Sequence, residues 1–305
     1  MIKYSAPGRC GIVGNPSDIY GGKVLSCSLP VRAKCNLSVG DAPVQLDDPL
    51  LWHAATARFP ISGFRVDWST YIPRSSGLSG STALLAATLA GVLTARGTPP
   101  SLDSVEGKQQ FAELLRDIEL NEAHIACGFQ DAYMIVFGGL QLMDFAGKSP
   151  DRTGPPASLQ SIQAPLPFLL VRTGVERVSG SVHRPVIQRW REGDRSVREG
   201  VAEIADLAEP AAQALCEGSC GKLAALMSRN QEIVSSWGSS GEAVDRLIAD
   251  CIASGAMAAK LAGAGQGGTV IALTEDPFSL ELNLRNRGYT RFLRPSICPG
   301  LTSER

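Results

Sequence analysis

The stretch IPRSSGLSGSTALLAATLAG, residues 72–91, imposes a narrow condition on the fold. Gly, Ser and Pro crowd its first positions, and an Ala/Leu run with helical spacing follows at once. A helix beginning near Ser81 would aim its unpaired first-turn N–H groups, and the positive end of its dipole, back at that turn. Glycines such as Gly77 and Gly80 let a phosphate approach the backbone, and hydroxyls at the mouth can cap the helix or bind Mg²⁺. A plain Ser-capped helix after a flexible turn fits the same residues. The stretch alone leaves both open, and its surroundings must choose.

The bulk chemistry narrows the field. The chain has 305 residues, 44% of them hydrophobic, enough for one large domain or two modest ones. With 29 basic and 30 acidic side chains the net charge is −1, which favours neither nucleic acid nor an anionic membrane surface as partner. No apolar run reaches the ~18–20 residues of a spanning helix. The opening MIKYSAPGRCGIVG has no apolar signal core, so a cytoplasmic location is expected. Eight scattered cysteines form no C-x-x-C pair, and the nearest two, Cys216 and Cys220, have no neighbouring His. Reduced thiols are therefore expected, and structural zinc is not.

Alternating segments at the start, IKYSAPGRCGIVG and KVLSCSLPVRAKCNLSV, predict an antiparallel pair, and GFRVDWSTYIP a further strand. Helices are expected at about 81–96 and 107–126. The run YMIVFGGLQLMDF, broken by Gly138 and Gly139, reads as a β-hairpin. Residues 146–165 are rich in Pro, Ser and Gly and form a loop or linker, after which LPFLLVRTG resumes as a strand. Helical patterns then run to about residue 259, with Pro210 interrupting one of them. The end reads strand–helix–strand. The sum is an α+β protein in two lobes, 1–160 and 161–305.

Two familiar motifs fail on context. GAGQGG at 263–268 matches G-x-G-x-x-G, but a dinucleotide-binding turn needs a strand before and a helix after, and here the pattern gives helix before and strand after. GKS at 147–149 resembles the tail of a Walker A loop, but the glycine needed five positions before Gly147 is Leu142.

Three segments in this order choose for the opening stretch: SAPGRCGIVGNPSDIYGG (5–22), PRSSGLSGSTALL (73–85) and KLAGAGQGG (260–268). Together they resemble the three motifs of the GHMP kinases. The first aligns without a gap to A-P-G-R-x-x-x-x-G-E-H-x-D-Y-x-G-G; the second departs from P-x-x-x-G-L-G-S-S-A by reading G-L-S-G-S-T-A. GNPSDIYGG, CGFQDAYMIVFGGLQLMDF and SGSVHRPVIQRWREGD make the chain most similar to the family's glucuronokinase-type sugar 1-kinases. The resemblance implies a two-lobed fold, with an N-terminal β-α-β lobe like a ribosomal-protein domain and a ferredoxin-like C-terminal lobe.

It also implies roles. Pro73, Gly77, Leu78, Ser79, Gly80, Ser81 and Thr82 would cradle ATP, completed by Gly263, Gly265 and Gly267 of the third motif. Ser81 and Glu122 would hold Mg²⁺. Asp131 would be the catalytic base, with Arg9 facing the transferring phosphate and depressing the pKa of Asp131. Asn15, Ser17 and Asp18 would meet the sugar. His183 and Arg184, with Arg74, would be candidates for a substrate carboxylate or phosphate, where Arg suits bidentate recognition. The four tryptophans are expected in the core, Trp68 being a candidate to flank adenine. The implied activity is ATP- and Mg²⁺-dependent phosphorylation of an anomeric hydroxyl by a monomer or homodimer, glucuronate being the first acceptor. A heptose 7-phosphate or other sugar 1-kinase, or a silent ATP- and sugar-binding sensor, are the alternatives.

Overall fold

A computed structural model describes residues 1–40, 46, 49–175, 182–263 and 265–304. The chain opens with β1 (Ile2–Val13), a 3-10 turn (Ser17–Tyr20) and the long β2 (Lys23–Val39). Then come α1 (Leu50–Arg58), β3 (Phe64–Thr70), α2 (Gly80–Ala95), α3 (Val105–Asn121) and α4 (Gln130–Phe137). β4 (Leu140–Asp144) and β5 (Ser158–Ser161) follow, and then β6 (Phe168–Arg172). A helical run holds α5 (His183–Arg191), α6 (Arg195–Asp206), α7 (Ala208–Cys216), α8 (Cys220–Ser236) and α9 (Glu242–Ala253). β7 (Ala258–Leu261), β8 (Thr269–Leu273), α10 (Pro277–Asn286), β9 (Phe292–Leu293) and β10 (Thr302–Ser303) complete it.

Two antiparallel sheets organise these elements, as the two-lobed α+β expectation requires. One runs β10-β1-β2-β4-β5, with β3 also paired to β2; the other runs β7-β8-β6-β9. The expected boundary at 160/161 falls inside β5, and the chain end returns to the first sheet through Tyr4↔Ser303. The larger core lies between the first sheet and α2, α3 and α4, the smaller between the second sheet and α6, α8 and α9. α2 is buried nearly all round, so its small residues let it lie close on β1 and β2. Gly91 marks the closest approach, since a Cβ there would stand 3.0 Å from Leu37.

Three expectations are corrected. Tyr133–Phe137 is not the first arm of a hairpin but the body of α4, and only Leu140–Asp144 is a strand. Its Ile and Val suggest β structure, but Tyr133, Met134, Ile135 and Val136 are all fully buried, so packing overrides propensity. Gly138 and Gly139, at φ of 67° and 75°, end the helix instead of turning a hairpin. The helical pattern proposed up to residue 259 ends at Ala253, because Ala258–Leu261 is buried on both faces and pairs with β8. The glycine segment that follows is therefore a strand–turn–strand hairpin, and the helix a dinucleotide-binding turn needs is missing from its far side. α2 begins at Gly80 with Ser79 as N-cap in the left-handed region, so Ser81 lies inside the first turn.

The helix break expected at Pro210 falls at Leu207, and Pro210 sits in the first turn of α7, where its missing N–H costs no bond. All eight cysteines are free thiols. Among the described residues no helix is long and apolar enough to cross a membrane.

Gly138 is one point where this packing leaves no room for a side chain. A Cβ there would lie 2.2 Å from the Gly300 nitrogen and 2.5 Å from the Cys298 carbonyl. Gly138→Ala is expected to cost roughly 2–4 kcal/mol from the left-handed backbone and the clash together. Urea denaturation of the two proteins side by side measures it, as a lower midpoint with an unchanged slope.

Candidate active site

Arg9 is carried on β1, where the register with β2 shifts between Pro7 and Arg9. The shift turns its side chain into a cavity of about 810 Å³ that separates the glycine loop from α4. Its Nε and Nη2 both lie 2.7 Å from Asp131 Oδ1. Nη1 donates to the Gly77 carbonyl at 2.9 Å and the Ala262 carbonyl at 3.1 Å. The Arg9 backbone N–H meets Leu78 O at 3.1 Å. One buried guanidinium thus ties the first strand to the glycine loop, the C-terminal hairpin and the acid on α4.

Asp131 sits in the first turn of α4 with its side chain 19% exposed toward the cavity. Burial works against its charge, but Arg9, the Ser79 hydroxyl and His183 outweigh it, and its pKa lies below the ordinary carboxylate value. The turn that presents it is fixed by Asp18, from the 3-10 turn. Asp18 Oδ2 accepts the Phe129 and Gln130 backbone N–H groups at 2.7 and 3.0 Å, and Oδ1 accepts Gln130 Nε2 at 2.9 Å. This caps α4 from a distant element. The fit leaves no room at Gly128, whose Cβ would stand 2.0 Å from Asp18 Oδ2. Burial raises the Asp18 pKa to about 6, against the pull of those N–H donors.

Across the cavity Glu119, on α3, is buried and accepts the Thr82 hydroxyl at 2.8 and 3.0 Å. Burial and the Asp131 charge push its pKa up to about 7. Glu122 is elsewhere. It follows the end of α3 and its carboxylate takes Arg58 at 2.8 and 3.0 Å, away from the cavity wall. One helical turn separates the two, and only Glu119 shares the i, i+4 row with the buried Phe111 and Leu115. A carboxylate in register with an apolar face was the available signal for Glu119. Gln130, which braces Asp18, gave none.

The glycine loop is built as the opening stretch suggested. Ser75, Gly77 and Ser79 all take positive φ, an unusual demand on two serines. Pro73, Gly77, Ser79, Gly80, Ser81 and Thr82 line the cavity, while Leu78 is buried behind it. The C-terminal hairpin packs on this loop through Gly263 and Gly268, whose Cβ atoms would stand 2.6 Å from Gly77 O and from Ser76 O. Gly265 and Gly267 turn the hairpin at φ of 106° and 125° against Ser239 and Val175 and do not reach the cavity. Ala264 between them, and residues 179–181 of the SGSVHRP segment, lie outside the described residues.

Of the residues expected to meet a substrate, Asn15, Asp18, His183 and Arg74 line the cavity. Ser17 is buried away from it with its hydroxyl on the Lys23 carbonyl at 2.9 Å, and Arg184 is exposed on α5 outside it. The far end of the cavity is apolar, with Leu51, Val66, Leu84 and Ile125 around the half-buried Trp68.

Residues 50–139 match the family described as GHMP kinases N terminal domain, and residues 211–288 match GHMP kinases C terminal. Glucuronokinase 1 of Arabidopsis thaliana is 30% identical over 276 residues, covering 76% of this chain and 74% of that protein. The probable glucuronokinase 2 of the same plant is 27% identical over 277 residues, covering 76% and 73%. In three dimensions the chain superposes on Lactococcus lactis galactokinase, solved with galactose, at a TM-score of 0.75. That likeness covers 99% of this chain and 94% of the other, at 17% identity.

The Asp18 cap makes a stability statement of its own. Asp18→Ala strands two buried N–H donors and a side-chain amide, for an expected loss of about 2–4 kcal/mol. A thermal melt reads the loss, and Asp18→Asn, which keeps one acceptor oxygen, should recover part of it.

Proposed function

The chain belongs to the GHMP kinases, and from that premise we propose that it transfers the γ-phosphoryl group of ATP to the anomeric hydroxyl of a sugar, with a uronate such as glucuronate as acceptor. The observation that carries this reading is the Arg9–Asp131 pair: an ionised carboxylate at a helix N-terminus, fixed by a buried guanidinium beside a glycine loop. A carboxylate held below its ordinary pKa is deprotonated at neutral pH and can accept a proton.

In this mechanism the acceptor hydroxyl oxygen forms a bond to the γ-phosphorus as the bond from that phosphorus to the bridging oxygen of ADP breaks. The hydroxyl proton passes to Asp131. The in-line exchange gains mainly from position and charge, which the protein supplies before substrates arrive. Arg9 offsets negative charge on the moving phosphoryl group and stays protonated throughout. The N–H groups of the Gly77–Ser81 turn and the N-terminus of α2 cradle the phosphates. The apolar side chains around Trp68 suit a base, and Asn15 and His183 suit a polyhydroxylated acceptor.

The donor set fits Mg²⁺. Glu119 is a buried carboxylate whose pKa of about 7 marks a charge that calls for a cation, and Ser81 offers a hydroxyl on the same cavity wall. Among the described residues no cluster of three metal-ligating side chains exists, which agrees with an ion that takes one carboxylate and fills its shell with water and phosphate oxygens. Bound there, Mg²⁺ would supply charge that neutralises the phosphates.

The support for a uronate comes from the identity to the plant enzymes and from His183 and Arg74, which line the cavity. An ADP-release assay with Mg·ATP across glucuronate, galacturonate, galactose, arabinose and heptose 7-phosphate tests it. Release with a uronate is expected; release with neutral or phosphorylated sugars alone would overturn the acceptor and keep the kinase. Asp131→Asn should lower kcat by roughly 10²-fold or more while ATP still binds.

The two glutamates separate cleanly. Glu119→Gln should raise the Mg²⁺ concentration needed for half-maximal rate and lower kcat. Glu122→Gln, which removes a surface pair worth about 0–1 kcal/mol, should leave both unchanged. A Mg²⁺ titration of the two variants makes the comparison.

A further inference from the structure

Behind the acceptor end of the cavity lies a cation that the chemistry above does not use. Lys260, on β7, is fully buried, and among the described residues no salt bridge reaches it. Its Nζ donates to Asn15 Oδ1 at 2.8 Å and to the Leu261 carbonyl at 2.8 Å. A lysine nitrogen carries donors and, when charged, no acceptor, so only the oxygen of the Asn15 amide can face it. The other end of that amide agrees: Asn15 Nδ2 donates toward the Gly263 carbonyl at 3.4 Å, and Gly263 lines the cavity. Two contacts of opposite polarity therefore fix one orientation of a side chain whose two ends have nearly the same shape.

The loop that carries Asn15 is held as firmly. Asn230, buried on α8, accepts the Gly14 N–H at 3.0 Å and donates to the Asn15 carbonyl at 3.1 Å. On the other side the amide lies flat on β1, where a Cβ at Gly11 would stand 2.8 Å from Asn15 Oδ1. Asn15 is thus pinned by the first strand, by α8 and by Lys260, with little freedom to turn over.

We propose that Lys260 is a positioning residue for acceptor selectivity: by taking Asn15 Oδ1, it turns the amide nitrogen of Asn15 toward the cavity, so that the N–H not given to Gly263 favours a sugar bearing a carboxylate over one bearing only hydroxyls. This rests on the sugar-kinase reading above. An acidic residue at position 15 would pair with Lys260 and offer the cavity a second oxygen, which repels a carboxylate and accepts from hydroxyls. Asparagine leaves the lysine satisfied by a neutral oxygen and gives the cavity a donor. Burial lowers the Lys260 pKa to about 7, yet the neutral amine also keeps N–H groups to donate, so the orientation persists through neutral pH.

Two readouts on the purified full chain test this, one of the contact and one of its consequence. In thermal melts, Asn15→Asp should hold or raise the melting temperature while Lys260 is present, because the acid gains a buried cation. In a Lys260→Met background the same change should lower it by several degrees, because the acid is left unpaired. In kinetics, Asn15→Asp should cut the ratio of kcat/KM for glucuronate over galactose by roughly 10- to 100-fold, the worth of one hydrogen bond to a charged group. That loss should appear in the sugar KM, with the ATP KM unmoved. Lys260→Met should shift the ratio the same way by less. A melting loss equal in both backgrounds, or a glucuronate preference untouched by Asn15→Asp, overturns the inference. If the unsubstituted protein turns over neutral sugars and no uronate, the acceptor reading and the selectivity fall together, while the sign of the melting change still decides the Lys260–Asn15 contact.

Discussion

The fork of Arg9 is the contact on which the rest of the site depends. Its partners come from three places far apart in the chain: the Gly77 turn, the Ala262 carbonyl of the C-terminal hairpin and Asp131 on α4. A lysine could reach one of these but could not span them, because only a planar guanidinium presents several fixed donors at once. Three of the carboxylates lining the cavity, Asp18, Glu119 and Asp131, are close enough to interact, and the charge of Asp131 disfavours ionisation of the other two. Arg9 is the cation that all three feel, and it sits against only one of them. The result is a graded set: Asp131 held below its ordinary value, Asp18 raised to about 6 and Glu119 to about 7. Three acids of similar intrinsic strength are thereby set apart: one paired with a cation, one capping a helix and one bonded to the Thr82 hydroxyl.

Packing around these charges explains why so many glycines are needed in so few places. Gly128 lets Asp18 close on the start of α4, Gly263 and Gly268 let the hairpin lie on the glycine loop, and Gly11 lets Asn15 lie on β1. Each removes a methyl group where two backbones, or a backbone and a polar side chain, must touch. Behind α4 a second layer of charge holds the helix from the other side. Lys148 pairs with Glu113 at 2.7 Å, Glu113 also accepts the Tyr133 hydroxyl, and the Phe129 ring lies between Lys148 and Arg116. The catalytic helix is two turns long, too short to be stable alone, and is made rigid by both layers.

Much of this was legible in the residues. The strand pair at the start and the helix after the glycine loop followed from alternation and helical spacing, and the hold of Arg9 on Asp131 was implied by the family resemblance. What was not legible was set by contacts far away in sequence. Tyr133–Phe137 reads as a strand until burial on all sides is known. Ala258–Leu261 reads as helix because Ala-Ala-Lys-Leu has no β-branched residue, and pairing with β8 decides otherwise. Glu122 was expected at the metal, but its carboxylate takes Arg58, while Glu119, one turn earlier, is the acid that meets Thr82. Asp18 looked like a sugar ligand, and its oxygens turn out to be occupied with the start of α4.

The short β10 has a consequence for how the molecule is made. The strand bearing Arg9 is made long before its partner at Thr302–Ser303. At about 5–20 residues per second, synthesis keeps that edge of the first sheet open for tens of seconds. The Ala262 carbonyl and Lys260, which complete the settings of Arg9 and Asn15, also arrive late. The nascent N-terminal half therefore carries Asp131 and Arg9 before it has the means to hold them, and the fork of Arg9 closes only once Ala262 has been made.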